Sequence, residues 1–339
     1  MQIAGTSYAL FAFDVGQSID LARAERALAQ LRRRARIGRK RRAPAWAENI
    51  EPPLLLTQTA PVIDLGPCKT DPQVEIVLYD FGAAAVTYAI TLTGKLQDLP
   101  EISALLDNNA SLEADARLRV EQLVASLGAA VERPEVAPVP EDYAIFEIRL
   151  PPGVAPNALW QEHAAAVARI LRGERDALSE QEVTDALLHR VSYGPQDVAL
   201  VDWYAALLVG DDVSEERWVL EYANVELLEM RNLDRQLDLN LNRAYEVLTR
   251  RPRLWSRGGG AFAGDFRGIA QLQADNAMLY EGANNAFKLL GDQYLARLYR
   301  VVSERFHLTE WDTTIERKLQ TLESIHKKLS DRASTARME

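Results

Sequence analysis

The sequence has a single cysteine, Cys68. One thiol excludes a disulfide within the chain and any cysteine-based metal cluster, and it suits a reducing compartment. Long apolar runs are missing too. No stretch reaches the roughly 18 uncharged apolar residues of a spanning helix, and the longest contender, VALVDWYAALLVG, carries Asp202 in its middle. The opening MQIAGTSYALFAFDVG has no basic flank and is broken by Asp14, so it reads as a strand and not as a signal peptide. Histidine is scarce: His163, His189, His307 and His326 share no ligand spacing. No nucleophile elbow and no cysteine–histidine pairing is present. The DFG at 80–82 lacks the Lys, Glu and His-Arg-Asp partners of a kinase and reads as a turn. SRGGGAFAGDFRG (256–268) lacks the preceding strand and the Gly-Lys-Ser/Thr ending of a phosphate loop, which leaves a connection between helices.

What is present is an ordinary folding chain of 339 residues, 47% hydrophobic and 26% charged, long enough for two domains. The net charge of −10 is unevenly spread. Arg32, Arg33, Arg34, Arg36, Arg39, Lys40, Arg41 and Arg42 form a block without an acid. Such a block suits the phosphates of RNA, DNA or anionic lipid, or else is a solvated loop or pairs with the acidic remainder of another subunit. No aromatic residue interleaves with the arginines, so base stacking is not indicated there.

Up to about residue 210 the hydrophobic period is mixed. YALFAFDVG, LLLTQTAPVIDL and YAIFEIRLP read as strands, and VEIVLYDFGAAAVTYAITL as a hairpin turning at Asp80–Gly82. DVALVDWYAALLVG is expected to close this half as one strand. Helices are expected over IDLARAERALAQLRRRA with Ser18 as its cap, over ISALLDNN and ADARLRVEQLVASLGAAV, and over PNALWQEHAAAVARILRGERDAL and SEQEVTDALLHRV. VERPEVAPVPED is a Pro-rich acidic linker. The expectation is an α+β head over 1–210, with a mixed or antiparallel sheet.

Over 211–339 the period is helical only, predicting a rod of long, antiparallel, coiled-coil-like helices. The first seam runs Leu220, Ala223, Leu227, Met230, Asp234, Leu237, Leu241, Ala244, Leu248. The second runs from Ile269 through Asn276 to Tyr294 and Leu298, and the third is Ile315, Leu319, Leu322, His326, Leu329, Ala333, Ala336. A break is expected at His307–Leu308, with Thr309 and Asp312 capping the last helix. Each seam has one polar residue, Asp234, Asn276 or His326, a candidate for setting register or oligomer state. Asp234 and Asn276 lie at similar distances from the Gly-rich turn and could meet across it.

Glu304–His307 and Glu323–His326 repeat the Glu-x-x-His of di-metal bundles. The first sits at a turn and the second roughly 20 Å further along the helix, so one chain cannot close a site with both. No metal or cofactor is expected. Asp202 in its apolar surroundings is best read as a structural hydrogen-bonding group.

VLYDFGAAAV, VARILRGE, DVALVDWYAALLV, LEYANVELLEMRNLD, NNAFKLLGDQYLARLYRVVSERF and ERKLQTLESIHKKL resemble the required-for-meiotic-nuclear-division family, in its bacterial branch, over roughly residues 74–339. The resemblance implies an α+β region, a long helical hairpin, a hydrophobic segment beyond the last helix, membrane attachment and a homo-oligomer. Relatives in eukaryotes are tied to mitochondrial translation or meiotic division; no catalytic residues are implied. The helical period to Ala336 fits a chain that stops just short of the anchor. The expected function is therefore a non-enzymatic, membrane-anchored scaffold at the inner face of a bacterial inner membrane, with RNA, ribosome or anionic lipid at the basic block. The cytoplasmic part of a CorA-like magnesium channel, or an enzyme on nucleic acid or nucleotides using acids such as Asp80 and Asp202, are the alternatives.

Overall fold

A computed structural model describes residues 1–28, 53–249 and 293–338. The described elements run β1 (Gln2–Asp14), β2 (Ser18–Ile19), α1 (Leu21–Ala27), β3 (Leu54–Thr59), β4 (Gln73–Leu78), β5 (Ala83–Lys95), α2 (Leu99–Leu106), α3 (Ala110–Leu127) and β6 (Val131–Glu132). They continue with β7 (Glu141–Arg149), α4 (Ala158–Gln161), α5 (Ala164–Arg172), α6 (Glu180–Ala186), β8 (Arg190–Val191), β9 (Val198–Val201), β10 (Ala205–Val209), α7 (Ser214–Thr249), α8 (Gln293–Arg305) and α9 (Leu308–Met338). The protein is α+β, as its mixed period predicts.

The eight-stranded sheet has the order β3-β4-β5-β1-β7-β10-β9-β8. The long strand β1 is its centre, antiparallel to β5 on one side and β7 on the other. β7 and β10 run parallel, which makes the sheet mixed. Alternation along β1 sorts its side chains between two faces. Phe11 and Phe13 join the core that holds Leu112, Ala116 and Val120 of α3 and Val167, Ile170 and Leu171 of α5. Tyr8, Leu10 and Ala12 point the other way. Arg217 of α7 stacks over the Tyr8 ring at 4.3 Å, and Tyr222 of α7 packs edge-on against Tyr79 at 5.9 Å. Ala12, Ala83 and Ala85 are small as well as buried there, which lets a helix lie close to the strands.

Local chemistry explains the ends of elements. Asn109 caps α3 by accepting the N–H of Leu112 at 3.1 Å, and Gly173 ends α5 at φ 64°. Gly82 closes the β4–β5 hairpin at φ 101°, where a Cβ would lie 2.0 Å from the carbonyl oxygen of Gly16, so only glycine fits.

Several expectations are corrected. Asp20, not Ser18, caps α1: its carboxylate accepts the N–H of Arg23 at 2.7 Å, while Ser18 belongs to β2. DVALVDWYAALLVG is two antiparallel strands, because Asp202, Trp203 and Tyr204 turn the chain between β9 and β10. The stretch predicted as one helix over 156–178 is α4 and α5, interrupted at Glu162 and His163. Thr309 does not cap the last helix. The chain breaks at His307, whose φ of 54° is left-handed, and α9 begins at Leu308, so Thr309 and Asp312 lie within it.

Two compact units emerge, Met1–Leu228 with Asn285–Phe306, and Glu229–Asn284 with His307–Glu339. The division by contacts thus falls after Leu228 rather than at 210. The base of α7 and all of α8 belong with the sheet. Phe306, just beyond α8, is buried with its ring 5.2 Å from that of Tyr143. In the second unit, Leu237 and Ala244 of α7 and Ile315, Leu319 and Leu322 of α9 are buried, as their seams predict. Arg231 lies 6.0 Å from the Trp311 ring.

Candidate functional site

β7 and β10 are parallel neighbours, so both carboxyl ends open on the same edge of the sheet. The loop after β7, Leu150–Val154, and the loop after β10, Gly210–Val213, leave the sheet there and diverge. Together with the 193–197 loop, the start of α7 and one face of α8 they line a cleft of about 1240 Å³. Clefts outside the carboxyl ends of parallel strands are where open α/β sheets bind ligands. Arg149 comes from the end of β7; Arg297 and Arg300, one turn apart, come from α8. Tyr193 is 73% exposed, its ring 5.4 Å from that of the buried Tyr294, and Arg297 lies 6.0 Å from the Tyr294 ring.

Acids also line this cleft, and most are engaged in its walls. Asp197 accepts the N–H groups of Tyr193 at 2.6 Å and Gly194 at 2.8 Å, which fixes the loop. Asp212 accepts from the N–H and hydroxyl of Ser214, the latter at 2.7 Å. Burial pushes the Glu216 carboxyl above its ordinary range, offset in part by hydrogen bonds from its own N–H and the Tyr294 hydroxyl. Burial also raises the Tyr294 hydroxyl, with Glu216 adding to it.

A second cluster lies in the turn between β9 and β10. Asp202 is fully buried, and its Oδ1 accepts from Arg305 Nε at 2.5 Å and from the N–H of Trp203 at 2.6 Å. Arg172 Nε lies 2.6 Å from Oδ2 as an ion pair, although its N–H is not aimed for a hydrogen bond. Asp185 bridges the two arginines, 2.5 Å from Arg172 and 3.2 Å from Arg305, and Glu182 adds a contact to Arg172 at 3.2 Å. Tyr143 donates to the backbone oxygen of Asp202 at 2.9 Å. The network joins α5, α6, the β9–β10 turn and α8. Every charge has an opposite neighbour, as a buried charge requires.

A third cluster lies under α7. Arg217 reaches Glu75 at 3.1 Å and Glu221 at 3.6 Å, the second too long for a hydrogen bond. Burial pushes the Glu221 carboxyl up to about 7; Arg217 pulls it down and Glu75 pushes it further up. Burial disfavours the Arg217 charge, but Glu221 and Glu75 outweigh this and hold the guanidinium above its ordinary value. Further along, Asn224 donates to the Glu141 carbonyl at 3.4 Å, and Tyr299 of α8 donates to Glu226 at 2.8 Å.

The candidates from the sequence fall differently. Arg32 to Arg42 and Asn276 lie outside the described residues, as does the side chain of His326, whose backbone is helical in α9. Asp234 pairs with Lys318, whose Nζ lies 2.7 Å from Asp234 and 2.6 Å from Asp238. Lys318, on the face of α9 next to the seam, was not singled out by the spacing. Asp80 sits at the hairpin turn and its carbonyl accepts the N–H of Ile19 at 2.8 Å. His307 Nδ1 lies 3.6 Å from Glu310. Among the described residues no group of three potential ligands could hold a metal ion, and no helix is long and apolar enough to cross a membrane. The cleft has no signature in the sequence, because Arg149, Tyr193, Arg297 and Arg300 lie far apart along the chain and share no motif.

An eight-stranded mixed sheet, helices on both faces, and a long helix shared with a second helical unit define the class of this α+β protein. The chain belongs to the family described as "Uncharacterized protein MJ0711, N-terminal domain", whose model matches residues 4–215. It is 24% identical over 174 residues to the protein MJ0711 of Methanocaldococcus jannaschii, covering 50% of this chain and 52% of that one. The chain thus spans about half the length of the curated relative it matches. No solved structure matches it.

Proposed function

We propose that this protein is a non-enzymatic scaffold that assembles through its helical unit and presents the sheet domain as a display surface. The carrying observation is α7, a single helix of 36 residues that belongs to both compact units. At about 1.5 Å per residue it is roughly 54 Å long, several times the usual helix of a compact domain. Residues 219–228 of it are buried on every side, which anchors the helix in the sheet domain. Its distal part and α9 carry the 3–4 seam spacing of helices that associate laterally. On this reading the seams hold the helices of one chain together with Asp234, Asn276 and His326 setting their register, and faces left exposed, such as that of Leu239 and Tyr245 on α7, join chains in a homo-oligomer. The resemblance to the bacterial branch of the required-for-meiotic-nuclear-division family supports attachment at the inner face of a bacterial inner membrane. The basic block at 32–42 suits RNA or anionic lipid there.

Light scattering of the purified protein in low and high salt tests the assembly. A defined oligomer in both is expected, because apolar seams survive salt while surface ion pairs do not. A monomer at high concentration in both overturns the scaffold.

A further inference from the structure

We propose that the cleft at the carboxyl ends of β7 and β10 binds a nucleoside phosphate, with its base on the ring of Tyr193 and its phosphate on Arg149, Arg297 and Arg300. The ring of Tyr193 is largely exposed, yet it is not loose. Asp197 holds its backbone N–H, and the buried ring of Tyr294 backs one side of it. A fixed, exposed aromatic face is a platform on which any base can stack. The three arginines come from two separate elements and converge on one cavity. Among the described residues no ion pair or hydrogen bond engages the guanidinium of Arg149 or Arg300. Their planar forks suit the bidentate recognition of phosphate oxygens.

The acids of the cleft fit the same ligand. Asp197 spends both oxygens and Asp212 its Oδ1 on the adjoining backbone and Ser214, and Glu216 is hydrogen-bonded to Tyr294. Asp211 and Glu215 remain to accept hydrogen bonds from ribose hydroxyls, a role in which a carboxylate serves well. A simple anion such as phosphate alone would leave Tyr193 and these acids unused. An acyl chain would find the apolar lining of Leu150, Pro151, Val154 and Val213 interrupted by three arginines and five acids. The same base-and-phosphate chemistry is offered by a free nucleotide and by a nucleotide within a single strand.

Binding of ATP, and separately of a short single-stranded oligoribonucleotide, is measured by calorimetry on the wild-type chain and on Arg300→Ala, Tyr193→Ala and Tyr193→Phe. Arg300→Ala and Tyr193→Ala are expected to weaken binding about tenfold each, and Tyr193→Phe to leave it nearly unchanged. Both positions are exposed, and equal unfolding midpoints confirm that the fold is kept. ATP binding displaced by pyrophosphate assigns a free nucleotide; binding of the oligoribonucleotide alone assigns a strand. Absence of both up to millimolar concentration overturns the proposal. So does binding that survives Arg300→Ala and Tyr193→Ala, as binding at the basic block would.

Discussion

Replacing Glu221 by Gln should make the protein more stable at alkaline pH and remove much of its pH dependence. Glu221 of α7 is buried 3.6 Å from Arg217, and burial pushes its carboxyl up to about 7. Its folded value lies above the ordinary value of 4.5, so folding favours the protonated form. The contribution is fully present below about pH 4.5 and is lost as the pH rises through about 7. Moving a carboxyl this far corresponds to roughly 3 kcal/mol, of which about 2.5 kcal/mol accrues between pH 5 and pH 8. Glutamine keeps the shape and carries no charge to desolvate, and Arg217 keeps Glu75 at 3.1 Å. Urea unfolding followed by tryptophan fluorescence at pH 5, 6, 7 and 8 measures the effect in both proteins. Burial also raises Glu216 and Asp142, and these slopes are common to both chains and cancel in the comparison. Glu221→Gln should gain on the wild type by about 2.5 kcal/mol between pH 5 and pH 8. An advantage that does not change with pH refutes the buried, titrating carboxyl.

Asp202→Asn leaves Arg172 and Arg305 facing each other without the buried charge between them, and should cost about 3 kcal/mol of unfolding free energy. Molar salt should not restore it, because Asp202 is fully buried; a loss below about 1 kcal/mol contradicts the role assigned to the cluster. Lys318→Glu places three acids together where Lys318 now joins Asp234 and Asp238. It should lower the stability of the helical unit by about 1 kcal/mol, less in high salt, seen as faster hydrogen exchange in Ile315–Leu322 of α9. Unchanged protection there removes Lys318 as the pin between the helices.

Polar residues marked the limit of what could be read along α7. The seam through Leu220, Ala223, Leu227 and Met230 is buried as its spacing predicts. Glu221, Asn224, Glu226 and Glu229, on the other faces, are buried as well. A helix reads as amphipathic when its polar residues lack visible partners. Here the partners of Glu221, Asn224 and Glu226 are Arg217, the Glu141 carbonyl and Tyr299; the last two come from other elements far along the chain. Asp202 followed the same logic in reverse. It was legible as a structural acid in apolar surroundings, but neither Arg172 nor Arg305 could be named for it.

By itself the sequence determined the α+β class, the hairpin turning at Asp80–Gly82, the break at His307 and, among the described side chains, the buried positions Leu220, Leu237 and Ala244 of α7 and Ile315, Leu319 and Leu322 of α9. These follow from period, turn chemistry and capping, which act over a few residues. The tertiary structure alone decided that β7 and β10 run parallel, and hence that a cleft opens at their ends with arginines from β7 and α8. It also decided that the base of α7 and the whole of α8 belong with the sheet. Strand order and the pairing of buried charges depend on which distant segments meet, and that is settled by packing over the whole chain rather than by local preference.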